Sequence, residues 1–63
     1  MAYEVVQASF DRRLIGLYEG EWAIYHARHG FLLNEYGYAF AFDTSQEAHT
    51  ALAVANKLRS VQP

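Results

Sequence analysis

Histidine is the residue type in this sequence best suited to ligate a metal, and it occurs at His26, His29 and His49. His26 and His29 lie three positions apart on a predicted strand, which directs their side chains to opposite faces. His49 falls on a predicted helix, and the sequence has neither an H-E-x-x-H motif nor any cysteine. We therefore expect no metal site.

Nucleophilic and acid–base catalysis lack a suitable arrangement as well. An activated serine needs an adjacent base and often a glycine-framed turn, whereas Ser45 lies in a helix-capping segment. Asp11 and Asp43 could approach each other, but two carboxylates alone are weak evidence for general acid–base chemistry. A chain of 63 residues also leaves little room for a substrate pocket beside its core. We expect no enzymatic activity and no cofactor.

Charged turns are the more promising feature of the sequence. Glu19 and Glu21 flank Gly20 in one predicted turn, and Glu35 and Tyr36 lie in a second. In a meander these two turns fall at the same end of the sheet, where their carboxylates would form an acidic rim that attracts a basic surface. The candidate partner-binding residues are therefore Glu19, Glu21, Glu35 and Tyr36.

The opposite end of the predicted sheet is basic, since it receives Arg12, Arg13, Arg28 and His29. This polarity favours oriented docking on a charged partner, although the net charge of the chain is only −2. The alternative is that all these residues are ordinary solvated turn residues, because turns are commonly polar.

Five short segments have the aromatic and β-branched composition of strands. The central segment, 22–28, lies between a Glu-Gly and a His-Gly turn signal. Gly20 permits a tight hairpin that would pair 14–18 with 22–28. Whether 3–18 forms one bent strand or two stays open, because a polar Asp-Arg-Arg interruption suits either a bulge or a turn. The predicted strands are about 3–10, 14–18, 22–29, 31–33 and 38–42.

A helix is predicted over about 45–60. Its start has the form of a capping box, in which the Thr44 hydroxyl accepts from an amide of the first turn and Glu47 reaches back. An apolar stripe follows at helical spacing, made of Ala48, Ala51, Leu52, Ala55 and Leu58. The predicted fold class is therefore α+β, a single domain over 1–63 with an antiparallel β-meander of three to five strands and one C-terminal α-helix packed on one face.

The apolar content of the chain exceeds what one small core can hide. Hydrophobic residues make up 52% and aromatic residues 16% of the sequence, and one helix covers only one face of a sheet. The second face or an edge strand is therefore expected to contact another protein or a second copy. The alternative is that the N-terminal strand folds back over that face.

Location and nucleic-acid binding can be judged from composition. The sequence has no secretory signal, no apolar run of membrane-spanning length and no cysteine, so we expect a cytoplasmic protein with no membrane partner. Tyr38, Phe40 and Phe42 resemble a base-stacking platform. The shortage of Lys and Arg nevertheless disfavours direct nucleic-acid binding, because contacts to phosphate supply most of its affinity.

The segment from Phe40 to Ala48, running into Ala51-Leu52 and Ala55, resembles the strand-to-helix ending of many small proteins from phages and mobile elements. Compact, cysteine-free and slightly acidic chains of this size include the anti-CRISPR inhibitors. The resemblance implies a protein that occupies a surface of a larger host complex.

We thus expect a non-enzymatic protein-binding inhibitor or regulator that occludes a surface, such as a nucleic-acid-binding one, of a larger host protein or nucleoprotein complex. A structural or regulatory homodimer and a small nucleic-acid-binding accessory protein are the alternative functions.

Overall fold

The fold is a three-stranded antiparallel sheet followed by one C-terminal helix, which confirms the predicted α+β class. The structure is a computed structural model that describes residues 2–61, and side chains for residues 2–57. Strand order in the sheet follows chain order. The elements are β1 (Glu4–Gln7), a 3₁₀ turn (Arg13–Ile15), β2 (Trp22–His26), β3 (Gly30–Phe31) and α1 (Ser45–Val61).

The central strand is β2, as the sequence predicted. Val6 of β1 pairs with Ala23, and Phe31 of β3 pairs with Tyr25. Because side chains alternate along a strand, Ile24 points to the face opposite Ala23. Ile24 is 1% exposed and lines a groove with α1, which packs against β1 and β2. One face of the sheet is therefore covered by the helix.

The helix begins where the capping signal placed it. The Thr44 hydroxyl oxygen accepts a hydrogen bond of 3.2 Å from the Glu47 amide, which satisfies one of the donors left unpaired at a helix start. Ala48 is fully buried on the side of α1 that faces the sheet. The observed helix, Ser45–Val61, lies within one residue of the predicted range.

The prediction of a strand over 14–18 that pairs with 22–28 is wrong. Arg13–Ile15 form a 3₁₀ turn, and Gly16 follows with a φ of 68°. This left-handed residue reverses the chain, so that Leu17 forms an isolated bridge with Arg12. The edge of β2 that 14–18 was expected to occupy is taken by β1. Within the predicted range 3–10, only Glu4–Gln7 is strand.

The predicted strands 31–33 and 38–42 also differ from the structure. β3 ends at Phe31, and 38–42 makes only isolated bridges, namely Ala39 with Leu33 and Phe42 with Trp22. The Phe40 amide donates to Leu32, whereas Phe42 exchanges two hydrogen bonds of 2.8 Å with Trp22 of β2. Because the segment changes partners within a few residues, it forms no continuous ladder.

The second face of the sheet is covered by the chain itself. Leu17, which is 0% exposed, packs in one buried cluster with Ala8, Ala23 and Ala39. Ile15 and Phe31 pack against this cluster. The expectation that this face is left for a partner is therefore wrong, because the loop that follows β1 folds back over it. The exposed apolar side chains lie instead on loops and at the edge of the helix groove.

Candidate protein-binding surface

Glu19 and Glu21, two of the predicted contact residues, lie in the tight turn before β2. The Glu21 carboxylate accepts a hydrogen bond of 2.8 Å from the Tyr18 amide, so this acid also stabilises its own turn. The Glu19 amide donates to the Asp11 carboxylate at 2.9 Å, and its side chain is exposed. The Gly20 amide donates to the Ala8 carbonyl at 2.9 Å. This turn is held at both sides and presents Glu19 to solvent.

Glu35 and Tyr36, the other two predicted contact residues, lie in the turn 34–37. The side-chain oxygen of Asn34 accepts from the amides of Tyr36 and Tyr38 at 2.8 and 3.1 Å. The Gly37 amide donates to the Asn34 carbonyl at 3.1 Å. Tyr36 is 77% exposed, and Glu35 is exposed beside it. The turn therefore displays an aromatic ring and a carboxylate on a fixed backbone.

The four predicted residues thus occupy two turns with different supports. The first turn is tied to Ala8 and Asp11. The segment that follows the second turn is tied to the 3₁₀ turn, because the Ala39 amide donates to the Ile15 carbonyl at 2.8 Å. Their common role as contact residues stays a prediction.

Sequence reasoning missed a hairpin, 12–17, which contacts the residues that follow the second turn. Its tip carries Leu14, which is 95% exposed, next to the exposed Arg13. The Arg12 carbonyl accepts from the amides of Ile15 and Leu17, each at 3.1 Å. The available sequence signal was Gly16, three residues after the polar Asp-Arg-Arg stretch, which suits a turn as well as a strand.

Arg12 was expected at a free basic end, but it packs between rings at the foot of this hairpin. Its guanidinium carbon lies 4.2 Å from the ring centroid of Phe10 and 4.9 Å from that of Phe31. These are cation–π distances, so the guanidinium group of Arg12 interacts with two rings of its own chain. The cleft at this place has a volume of about 410 Å³ and is lined by Phe10, Asp11, Arg12, Arg13, Leu14, Ile15 and Phe31.

The hairpin 12–17 contacts residues 38 and 39, which follow the turn 34–37. Besides the Ile15 to Ala39 hydrogen bond, Cδ1 of Tyr38 lies 3.2 Å from the position that a β-carbon on Gly16 would take. Several large apolar side chains, one base and one acid are exposed on the hairpin, the turn and the residues next to them; they are Phe10, Arg13, Leu14, Leu33, Glu35, Tyr36 and Tyr38.

A second apolar feature is the groove between α1 and the segment 40–42. It has a volume of about 320 Å³ and is lined by Ile24, Leu32, Phe40, Phe42, Ala51, Val54 and Ala55. Phe40 and Phe42 therefore lie beneath the alanine-rich helix. Tyr38 instead contacts the hairpin, so the three aromatic residues do not form one base-stacking platform.

His26 and His29 are close together, contrary to the expectation of opposite faces. Their ring centroids lie 4.5 Å apart because β2 ends at His26 and the following turn brings His29 back. The buried His26 accepts hydrogen bonds at Nδ1 from the amides of Arg28 and His29, at 3.0 and 3.2 Å. His26 therefore supports this turn. Among the described residues, no group of three or more His, Asp or Glu side chains is placed to hold a metal.

A scan against protein-family models and searches of curated proteins and of solved structures returned no match to this chain. Among the residues that the structure describes, no helix combines the length and the apolar character that crossing a membrane requires.

Proposed function

We propose that this protein is a non-enzymatic protein-binding inhibitor or regulator, which acts by occluding a surface of a larger protein or nucleoprotein complex. The observation that carries the proposal is the display of large apolar side chains on loops whose backbones are hydrogen bonded. Leu14 and Tyr36 are the most exposed of these side chains. Large exposed apolar side chains rimmed by polar residues are typical of an interaction site.

Hydrogen bonds fix the backbones of the two loops, which supports a binding role for the side chains they expose. Arg12 and Leu17 close the hairpin 12–17, and Asn34 closes the turn 34–37. A loop backbone that is already held in place loses little conformational entropy when a partner covers it, so contacts made by the loop contribute more to affinity. Exposed aromatic residues with a polar end, such as Tyr36, are common centres of binding energy in protein interfaces.

The acidic residues indicate that the proposed partner presents a basic surface. Glu19 and Glu35 are exposed, and Glu21 is partly exposed in the same turn as Glu19. A basic groove, such as one that binds nucleic acid, would attract these carboxylates and orient the protein on approach. On the resemblance to phage-encoded anti-CRISPR inhibitors, the groove would belong to a host complex.

The test is affinity capture from a lysate of the host with the full chain as bait, repeated with a Glu19→Gln, Glu21→Gln, Glu35→Gln triple variant. Glutamine removes the charge but keeps an oxygen that can accept the Tyr18 amide, so the turn before β2 is retained. We expect the specifically captured protein to be lost with this variant.

The matched control is a triple variant at three exposed acids outside the two turns, Glu4→Gln, Asp43→Asn and Glu47→Gln. It removes the same formal charge, and it should capture the partner as the wild type does. Equal capture by both triple variants would reject the acidic turns as contacts. Failure of the wild type to capture any protein would count against the proposed function itself.

A further inference from the structure

We propose that the cleft at the foot of the hairpin 12–17 binds a small organic anion, namely a carboxylate joined to an aromatic ring, and that the guanidinium of Arg12 holds the carboxylate. The cleft has a volume of about 410 Å³, which lies within the range of about 300–1,000 Å³ usual for small-molecule sites. The inference goes beyond the proposed function, because binding of this ligand needs no protein partner.

The guanidinium of Arg12 is the first argument. Arg12 is half-buried, and its guanidinium carbon lies 4.2 Å from the ring centroid of Phe10 and 4.9 Å from that of Phe31. These rings contact the cation but offer no oxygen to its N–H groups. In the part of the chain whose side chains are described, no carboxylate or carbonyl oxygen bonds this guanidinium. Its N–H donors are therefore available to an acceptor from outside the molecule.

These donors can be reached by a ligand. Among the described side chains that are not exposed, no nitrogen or oxygen is both buried and without a hydrogen-bond partner. The guanidinium nitrogens of Arg12 have no such partner, so they must be accessible to solvent. A guanidinium binds a carboxylate through two parallel N–H···O bonds. Apolar walls that exclude part of the water make such a charge-assisted pair stronger than it is in free solution.

The difference between the two sides of Arg12 is the second argument. Arg12 and Phe31 line both the cleft of about 410 Å³ and a smaller one of about 210 Å³. The larger cleft has a mainly apolar lining that includes Phe10, whereas the smaller one includes the polar side chains of Gln7 and Ser9. A ligand with an apolar body and a charged end fits this arrangement, with the body in the larger cleft and the carboxylate on Arg12.

The rings of the cleft favour an aromatic body for the ligand. The Phe31 ring makes an edge-to-face contact with Tyr25, whose centroid lies 4.9 Å away. Phe10 contacts Arg12 and is nevertheless 53% exposed, so much of its ring is left uncovered by the chain. Aromatic pairs gain free energy beyond the area that they bury. A ring should therefore bind here more tightly than an aliphatic group of similar size.

The charge of the lining favours an anion over a cation. Asp11 contributes one carboxylate to the cleft, and its Oδ1 accepts the Glu19 amide at 2.9 Å. Arg12 and Arg13 contribute two guanidinium groups. Two positive charges against one negative charge leave the lining with one net positive charge, so a carboxylate is attracted and an amine is not.

The test is titration of the full chain with phenylacetate, followed by amide and arginine side-chain signals in NMR spectra. We expect a dissociation constant of about 1 mM, reasonable for so small a ligand. The shift changes should centre on Arg12, Ile15 and Phe31. Phenylacetamide, the neutral analogue, should bind about tenfold more weakly or worse. Cyclohexylacetate keeps the charge and the approximate size, and it should bind about threefold more weakly.

Arg12→Gln removes the charge and should weaken phenylacetate binding by about tenfold or more. Arg28→Gln is the matched control, because it makes the same change at an exposed arginine in the turn between β2 and β3. It should leave the dissociation constant unchanged. Thermal unfolding of each variant checks the fold, since Arg12 also packs against two rings.

Asp11→Asn offers a second route if Arg12→Gln does not fold. Asparagine keeps an oxygen that can accept the Glu19 amide, but it removes the negative charge from the cleft. Phenylacetate should therefore bind about two- to fivefold more tightly to this variant than to the wild type. Unchanged or weaker binding would contradict the charge argument.

The absence of saturable shift changes up to about 10 mM phenylacetate would overturn the inference. Equal binding of phenylacetamide would overturn it as well, and so would an equal loss of binding in Arg28→Gln and Arg12→Gln. Equal binding of cyclohexylacetate would reject an aromatic ligand. The titration uses the purified chain alone, so its failure leaves capture of a protein partner untouched, and failure of the capture experiment leaves the titration untouched.

Discussion

Arg12 and Leu17 face each other across an antiparallel bridge, with the Arg12 amide donating to the Leu17 carbonyl at 2.6 Å and the Leu17 amide returning a bond of 3.1 Å. The bridge closes the hairpin that carries the exposed Leu14. It also directs the Leu17 side chain into the core, where Ala8, Ala23 and Ala39 surround it. Packing of the buried cluster around Leu17 and exposure of Leu14 therefore depend on the same two residues.

Truncation of Leu17 should show this dependence. Leu17→Ala removes a fully buried side chain and should lower the free energy of unfolding by about 2–5 kcal/mol, the usual cost of a Leu→Ala cavity. Such a loss is a large fraction of the total stability of a small domain. The measurement is urea unfolding followed by the fluorescence of Trp22.

Leu14→Ala is the matched control, because it makes the same chemical change three residues away at a side chain that is 95% exposed. Its free energy of unfolding should stay within about 0.5 kcal/mol of the wild type. Its effect should appear instead in association. Similar destabilisation by both variants would contradict the orientation of the hairpin described above.

Gly16 provides a test of the contact between the hairpin and the residues that follow the turn 34–37. Gly16→Ala forces a β-carbon onto a residue with φ of 68° and places it 3.2 Å from Cδ1 of Tyr38. The expected loss of stability is about 1–3 kcal/mol, because a left-handed non-glycine residue is strained and the tyrosine must also move. Thermal or urea unfolding measures the loss.

Gly30→Ala separates these two contributions. Gly30 has a similar φ of 78°, but a β-carbon there would meet no atom within 4 Å. It should therefore show the backbone cost alone and be less destabilising than Gly16→Ala. If the two variants lose the same stability, Tyr38 does not press on Gly16.

Local signals explain which parts of the fold could be predicted from sequence. The capping segment at Thr44 and the apolar stripe that follows it define α1 without reference to any distant residue. Aromatic and β-branched residues likewise predict a strand over about 22–29, of which the structure has 22–26. Both predictions depend only on residues that are close to one another in the sequence.

Competition between segments for the edges of β2 explains which strands were mispredicted. The segments 14–18 and 38–42 have strand-like composition, but whether each becomes a strand depends on which edge of β2 is free. β1 takes one edge, and β3 and Phe42 share the other. The outcome of this competition cannot be predicted from the pattern of a single sequence. The strand-like composition of a segment reflects its burial and pairing as much as its intrinsic preference.

The same reasoning applies to the candidate site. Asn34 and Gly37 marked the turn that displays Glu35 and Tyr36, because their composition is itself the turn signal. Leu14 could not be recognised in this way. Its exposure follows from the closing of the hairpin on Leu17, which depends on the burial of that leucine against Ala23 and Ala39.

Asn34 should control how well the turn 34–37 presents Tyr36. Its side-chain oxygen accepts from the amides of Tyr36 and Tyr38, and Asn34→Ala removes both bonds. We expect a loss of about 1 kcal/mol in the free energy of unfolding, typical of exposed turn hydrogen bonds. The loosened turn should also weaken partner binding, because Tyr36 must then be ordered upon association. Asn34→Asp keeps the acceptor oxygen and should preserve most of the stability.

Amide hydrogen exchange at Tyr36 and Tyr38 is the direct measurement, with faster exchange expected in Asn34→Ala than in Asn34→Asp. Equal exchange in the two variants would show that the asparagine side chain does not hold the turn.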